Sequence, residues 1–439
     1  MKNSLMALAG AFLISGTVSA QKVEFKEFTL DNGLHVILHQ DKSAPVVVTS
    51  VLYHVGAKDE NPERTGFAHF FEHLLFEGTE NIARGEWFKL VTSNGGHNNA
   101  NTTEDRTYYY EVFPSNNLEL SLWMESERML QPVINQIGVD TQNEVVKEEK
   151  RMRVDNSPYG NFISSVKENL FKGHPYQWAP IGSMDHLDAA TLQEFQDFFK
   201  KYYVPNNAVL VVAGDIDYDK TKTLVEKYFS LVKRGADVPR VTAKAEPINE
   251  VIKAKFEDAN IQLPMYITGY RLPSVKHEDS YALDLLIQYL TGSKSSPMRK
   301  LIVDDKKTAM EIMAFTHPYL VEDYRMTIFG AIPTPGKTRD DIQVDIDAQI
   351  KKVQTDLISE RDFQKLQNMI ESSYVSSNSN LETLAENLAT YHMIYKDVNL
   401  INNEISKYRA VTREQIREVA KKYLQENSRL ILDYVPAAE

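Results

Sequence analysis

Apolar residues in the first half of the chain follow two different periods. Leu34-His-Val-Ile-Leu38 and Val46-Val-Val-Thr-Ser-Val-Leu-Tyr53 are rich in β-branched residues and predict strands. The stretches around 66–77, 117–130, 140–153 and 190–203 are longer and amphipathic, and predict helices. Strands and helices interleave, so the expected class is α+β. Between about Arg234 and Leu263 the chain turns polar, carries Pro239 and Pro247, and loses its period. That stretch predicts a linker over 236–262, dividing a unit at 21–235 from a second at 263–439.

The two units look alike. Phe76-Glu-Gly-Thr-Glu followed by Trp87-Phe-Lys-Leu-Val91 is echoed by Leu290-Thr-Gly-Ser-Lys followed by Met298-Arg-Lys-Leu-Ile302, and Lys200-Lys-Tyr-Tyr-Val by Lys421-Lys-Tyr-Leu-Gln425. Matching Gly78 to Gly292 sets Leu283, Leu286 and Ile287 opposite His69, Glu72 and His73. Whatever polar chemistry the first copy carries there, the second has lost.

Length and charge narrow the possibilities. The 439 residues are enough for two cores, and 49 Lys plus Arg stand against 61 Asp plus Glu with no basic tract. Nucleic acid is therefore excluded as an expected partner. At the start, Lys2 precedes an apolar stretch from Leu5 to Ile14, and Val18 and Ala20 stand at the cleavage-site positions. Residues 1–20 thus predict a signal peptide, with the mature chain starting at Gln21 in an exported compartment such as a bacterial periplasm. The apolar stretch is too short for a membrane span, so none is expected to remain after signal removal. There is no cysteine to form a disulfide.

The chemistry is concentrated in Gly66-Phe-Ala-His-Phe-Phe-Glu-His-Leu-Leu-Phe-Glu-Gly-Thr79, which spells H-x-x-E-H inside a helical pattern. Residues four apart share a helix face, so His69 and His73 can present imidazole nitrogens to one metal ion. Glu72 lies beside them, at the offset of a general base that holds and deprotonates a water. Three polar groups among Phe70, Phe71, Leu74, Leu75 and Phe76 need partners, and a shared Zn²⁺ supplies one. A catalytic zinc usually takes three protein ligands. The charged helical segment 140–153 offers Glu144, Glu148 and Glu149 as the third.

At this point the chain resembles the pitrilysin/insulinase-type inverted zincins, the family that includes the mitochondrial processing peptidase. The resemblance runs through Leu30-Asp-Asn-Gly-Leu, Gly95-Gly-His-Asn-Asn-Ala-Asn-Thr102, Pro158-Tyr159, His174-Pro-Tyr176 and Tyr202-Tyr-Val-Pro-Asn-Asn-Ala208. It implies a glutamate ligand 76 residues after the second histidine, which is Glu149. It further implies two homologous halves, each an antiparallel-rich sheet with helices on one face, closed like a clam shell around a chamber. The implied activity is a zinc-dependent endopeptidase acting on peptides or unfolded segments. Asn99, Ala100, Asn101 and Thr102 are implied as an edge strand that receives the substrate backbone. The alternative within the family is a binding or assembly subunit without turnover.

Two departures from the family stand out. A second glutamate often found seven residues before the ligand is Gln142 here. An Arg and a Tyr that the second half of such peptidases supplies to the developing oxyanion fall on Val303 and Met310, which cannot donate a hydrogen bond. Either Arg299 substitutes, or a related subunit supplies the pair in a heterodimer; otherwise a homodimer is expected. His97 and the remaining histidines, His35 and His392 among them, show no paired spacing and are expected to be surface or core residues.

Overall fold

The computed structural model describes residues 22–317 and 321–438. The expected signal peptide lies outside the described residues. Six strands form a first sheet: β1 (Lys26–Thr29), β2 (His35–Gln40), β3 (Val46–Tyr53), β4 (His97–Thr102), β5 (Thr107–Pro114) and β6 (Ala208–Gly214). Five form a second: β7 (Ile252–Asp258), β8 (Met265–Pro273), β9 (Ala309–Thr316), β10 (Tyr324–Pro333) and β11 (Leu430–Pro436). Their orders are β1-β2-β6-β3-β5-β4 and β7-β11-β8-β10-β9.

Apart from β1, the two sheets share one topology. Each has a single parallel pair, β2 with β6 and β7 with β11, and all other neighbours are antiparallel. The helix Phe67–Leu74 between β3 and β4 corresponds to Ser280–Thr291 between β8 and β9. In the second copy Leu283, Leu286 and Ile287 are buried, so the positions matching the histidine motif are core. The fold is α+β in two homologous halves, as expected.

Alternation along β3 accounts for its unbroken apolar run. Val47, Val51 and Tyr53 point into the core made with the first half's own helices, including Phe67, Phe70 and Phe71. Val48 and Leu52 point the other way, against Leu384, Leu388 and Ala389 of helix Leu381–Tyr395. That helix comes from the second half. In return, Val166 and Leu170 of helix Phe162–Leu170 pack on Ile267, Ile328, Leu430 and Leu432 of the second sheet. Each half keeps its own helices on one face and lends one to cover the opposite face of the other, so both sheets are buried on two sides.

Charges also join the halves. Lys58, 3% exposed, has Asp105 at 2.8 Å and Glu322 at 2.6 Å. Glu322 also meets His54 at 2.7 Å, and Asp105 accepts from the backbone N–H groups of Val321 and Glu322. Burial works against the Lys58 ammonium, but Asp105, Glu322 and Asp323 outweigh it and hold it above its ordinary value.

One expected boundary is corrected. Residues 233–249 have neither helix nor strand, but Ile252–Asp258, inside the expected linker, is edge strand β7. Its alternation of half-buried Ile252, Ala254 and Phe256 with exposed Lys253, Lys255 and Glu257 is that of a one-sided edge. The charged positions gave it the look of a linker.

Candidate active site

Helix Phe67–Leu74 is placed by both of its faces. Phe67, Phe70, Phe71 and Leu74 are buried, with the Phe195 ring stacked at 4.5 Å on Phe67 and tilted at 4.6 Å against Phe70. The Tyr109 hydroxyl donates to the Phe71 carbonyl at 2.7 Å. At the N-terminus, the Glu60 carboxylate accepts from the Gly66 and Ala68 N–H groups at 2.9 and 2.8 Å, satisfying two donors the helix leaves open. Gly66 has φ +101 and Gly182 φ +67, and a Cβ on Gly182 would stand 2.3 Å from the Gly66 nitrogen. Only glycine permits this approach.

The opposite face of the helix carries His69, Glu72 and His73. Helix Gln136–Lys150 packs against it, and Asn135 caps its start by accepting from the Gly138 N–H at 2.9 Å. The helix delivers Glu149 to the imidazoles. Glu149 Oε2 lies 3.4 Å from His69 Nε2 and 3.0 Å from His73 Nε2, and the three ligand atoms lie within 4.8 Å of one another. Hydrogen bonds from His69 and His73 hold the Glu149 carboxyl well below the usual carboxylate range, against the opposing effect of burial.

These residues fit a zinc ion. Two ligand atoms each about 2.0–2.1 Å from a tetrahedral ion stand about 3.4 Å apart, close to the 3.4 and 3.0 Å from Glu149 Oε2 to the two imidazole nitrogens. Two imidazoles and a carboxylate are a common catalytic donor set for zinc. The rival glutamates are elsewhere: Glu144 is 72% exposed beside Lys147, and Glu148 is 57% exposed beside Arg151. Gln142 donates its amide to Glu77, which also pairs with Arg84.

β4 is paired only with β5 and forms the edge of the first sheet, so Asn99 to Thr102 have one unpaired backbone side. Thr102 Oγ1 donates to Glu72 Oε2 at 2.6 Å, which brings the edge strand and the expected base together. Sequence reasoning missed that bond. It also missed Arg153, whose Nη1 lies 2.6 Å from Glu149 Oε1, although the i,i+4 spacing was a usable signal. Arg153 sits in a π-helical turn, Arg151–Asp155, that follows the ligand helix directly; such turns are frequent at functional sites.

In the second half, Val303 is half-buried against the second core and Met310 is 43% exposed. Arg299 is paired with Glu311. Among the histidines, exposed His97 pairs with Glu382 at 3.1 Å. His35 and His392 do come together despite their separation in sequence, with ring centroids 3.5 Å apart.

Comparison with known proteins covers nearly the whole chain. Residues 35–179 match the profile described as Insulinase (Peptidase family M16), and residues 189–370 match Peptidase M16 inactive domain. The chain is 29% identical over 429 residues to the zinc protease PqqE of Helicobacter pylori, covering 96% of each. Among solved structures, a protease from Helicobacter pylori superposes with TM-score 0.88 at 29% identity, over 94% of this chain and 100% of that one. The periplasmic protease PqqL from Escherichia coli superposes with TM-score 0.77 at 19% identity, over 95% of this chain but 48% of that chain.

Proposed function

Since the chain belongs to the insulinase-type M16 peptidase family, we propose that it is a zinc-dependent endopeptidase for peptides and unfolded segments, with His69, His73 and Glu149 as ligands and Glu72 as base. The observation that carries this reading is the convergence of both imidazoles on Glu149 with Glu72 on the same helix, beside an edge strand.

When bound, Zn²⁺ lowers the pKa of a water toward about 7 and polarises the scissile carbonyl. Glu72 accepts a proton from the attacking water and passes it to the leaving amine. Thr102 holds Glu72 Oε2 at 2.6 Å and so limits the rotamers the carboxylate can adopt. Arg153 holds the second oxygen of Glu149, which orients the first toward the histidines. Asn99, Ala100, Asn101 and Thr102 receive the substrate backbone as an added strand. This demands an extended amide chain and favours peptides over small esters.

The donors for the developing oxyanion are the incomplete part. Val303 and Met310 have no hydrogen to offer, and Arg299 is engaged by Glu311. The chain also matches only 48% of PqqL, so one chain corresponds to half of that longer protein. On these grounds the reading includes a related second subunit that supplies the pair, with a chamber between halves or subunits admitting unfolded chains. The domain assignment that goes with it is a metal-bearing unit to about residue 235 and a silent copy from β7 onward.

Export through residues 1–20 is part of the same reading. No helix among the described residues is long and apolar enough to cross a membrane.

The test is zinc analysis of purified protein together with a fluorogenic peptide assay with and without chelator, run on the chain alone and on a pull-down from its source. Chelator-sensitive hydrolysis that rises in the pull-down supports the whole reading. Zinc-loaded protein inactive in both preparations would support the non-catalytic alternative.

A further inference from the structure

A second group of metal-ligating side chains lies at the other edge of the first sheet. Glu27 is on β1, His35 on β2, and His392 in the last turn of helix Leu381–Tyr395. Glu27 pairs across the strands with Ile37, which makes it a diagonal neighbour of His35 on one face. Glu27 Oε2 lies 3.1 Å from His35 Nε2, and Thr29 Oγ1 lies 3.2 Å from His35 Nδ1. The His392 ring stacks on His35 with centroids 3.5 Å apart and planes 13° apart. One ligand atom from each of Glu27, His35 and His392 lies within 4.8 Å of the other two.

We propose that Glu27, His35 and His392 form an accessory site for a borderline divalent cation of the zinc class, stapling the β1–β2 edge of the first sheet to the helix lent by the second half. This inference does not rest on the peptidase reading.

The donor set suits the ion: two imidazoles and a carboxylate, without thiolate, select zinc, copper or nickel over calcium and magnesium. His392 is half-buried and stacks on His35, which sets its ring beside the His35–Glu27 pair. Thr29 is placed as the outer partner that a metal-binding histidine uses to fix its tautomer and orientation.

Two features set the strength of the site. Nearly parallel ring planes keep one ion from lying in both, so binding turns the His392 ring about its Cβ–Cγ bond, a side-chain motion. The Lys396 ammonium opposes a cation and offsets Glu27, so this site binds more weakly than the one at His69.

The experiment removes the first site and titrates the second. His69→Ala/His73→Ala is titrated with Zn²⁺ by calorimetry, with bound zinc counted after dialysis and the thermal midpoint followed with and without Zn²⁺. The expected result is one bound zinc and a raised midpoint. Adding His392→Gln abolishes both effects, and adding Glu27→Gln, a change at a solvent-exposed side chain, weakens binding about tenfold or more. Equal zinc binding with and without Glu27→Gln and His392→Gln, or no binding by the parent double variant, would overturn the proposal. The parent has already lost both first-site histidines, so loss of peptidase activity has no bearing on the outcome.

Discussion

Thr102 donates a 2.6 Å hydrogen bond to Glu72, tying the last residue of the edge strand to the carboxylate of the motif helix. In the proposed mechanism, a substrate strand added to β4 arrives beside the proposed base. A hydrogen bond to a charged group contributes about 1.5–3 kcal/mol, so Thr102→Val should lower kcat about tenfold or more while zinc content and KM change little. Steady-state kinetics on a fluorogenic peptide checks this; a loss confined to KM would assign Thr102 to binding instead.

Arg153 contacts the Glu149 oxygen that faces away from the histidines. Arg153 is 76% exposed, so Arg153→Ala should weaken zinc affinity only by about 2- to 5-fold, and Glu149→Gln should weaken it further. Competition against a chelator of known affinity reads both. Wild-type affinity in Glu149→Gln would remove Glu149 from the ligand set.

Lys58 is buried among Asp105, Glu322 and Asp323, contributed by both halves. Lys58→Met removes the buried ammonium that Asp105 and Glu322 share and should destabilise the chain by about 3–5 kcal/mol, read as a drop in the denaturation midpoint. Restoring the midpoint by neutralising Asp105 and Glu322 as well would show that uncompensated charge is the cause. A midpoint within error of wild type in Lys58→Met would contradict the assignment of this cluster as a joint.

Glu60 is buried, and burial raises its carboxyl to about 8, against the N–H groups of Ala68 and Gly66. A folded pKa above the ordinary value of 4.5 means the native state holds a proton that the unfolded chain has released. The contribution to stability is full below the ordinary value, falls as pH rises toward about 8, and is gone above it. Glu60→Gln should flatten that decline in denaturation midpoints measured from about pH 5 to about pH 9. An identical slope in the variant would show that Glu60 does not titrate there.

The parts of this arrangement that sequence made legible are those set by short spacing. His69, Glu72 and His73 lie within five residues, and helical geometry alone places them together. Glu149 could be narrowed only to one of three glutamates by composition, and the family spacing chose among them; the structure separates it from Glu144 and Glu148 by burial and contact. β7 was obscured because a one-sided edge strand shows alternate charges, which composition reads as a linker. The exchange of helices between halves left no local mark, since Leu381–Tyr395 looks like any buried helix until its partner sheet is known. The same is true of His392 against His35 and of Lys58 against Glu322, whose meeting depends on tertiary packing across the halves.

The most direct measurement is zinc content and single-turnover peptide hydrolysis of Glu72→Gln beside wild type and His73→Ala. The amide keeps the shape of the side chain and loses its ability to take a proton, so the account predicts wild-type zinc with hydrolysis lower by about 100- to 10,000-fold. His73→Ala should lose the tightly bound zinc as well as activity. Glu72→Gln that kept both its zinc and most of its hydrolysis would contradict the assignment of Glu72 as the base and, with it, the proposed mechanism.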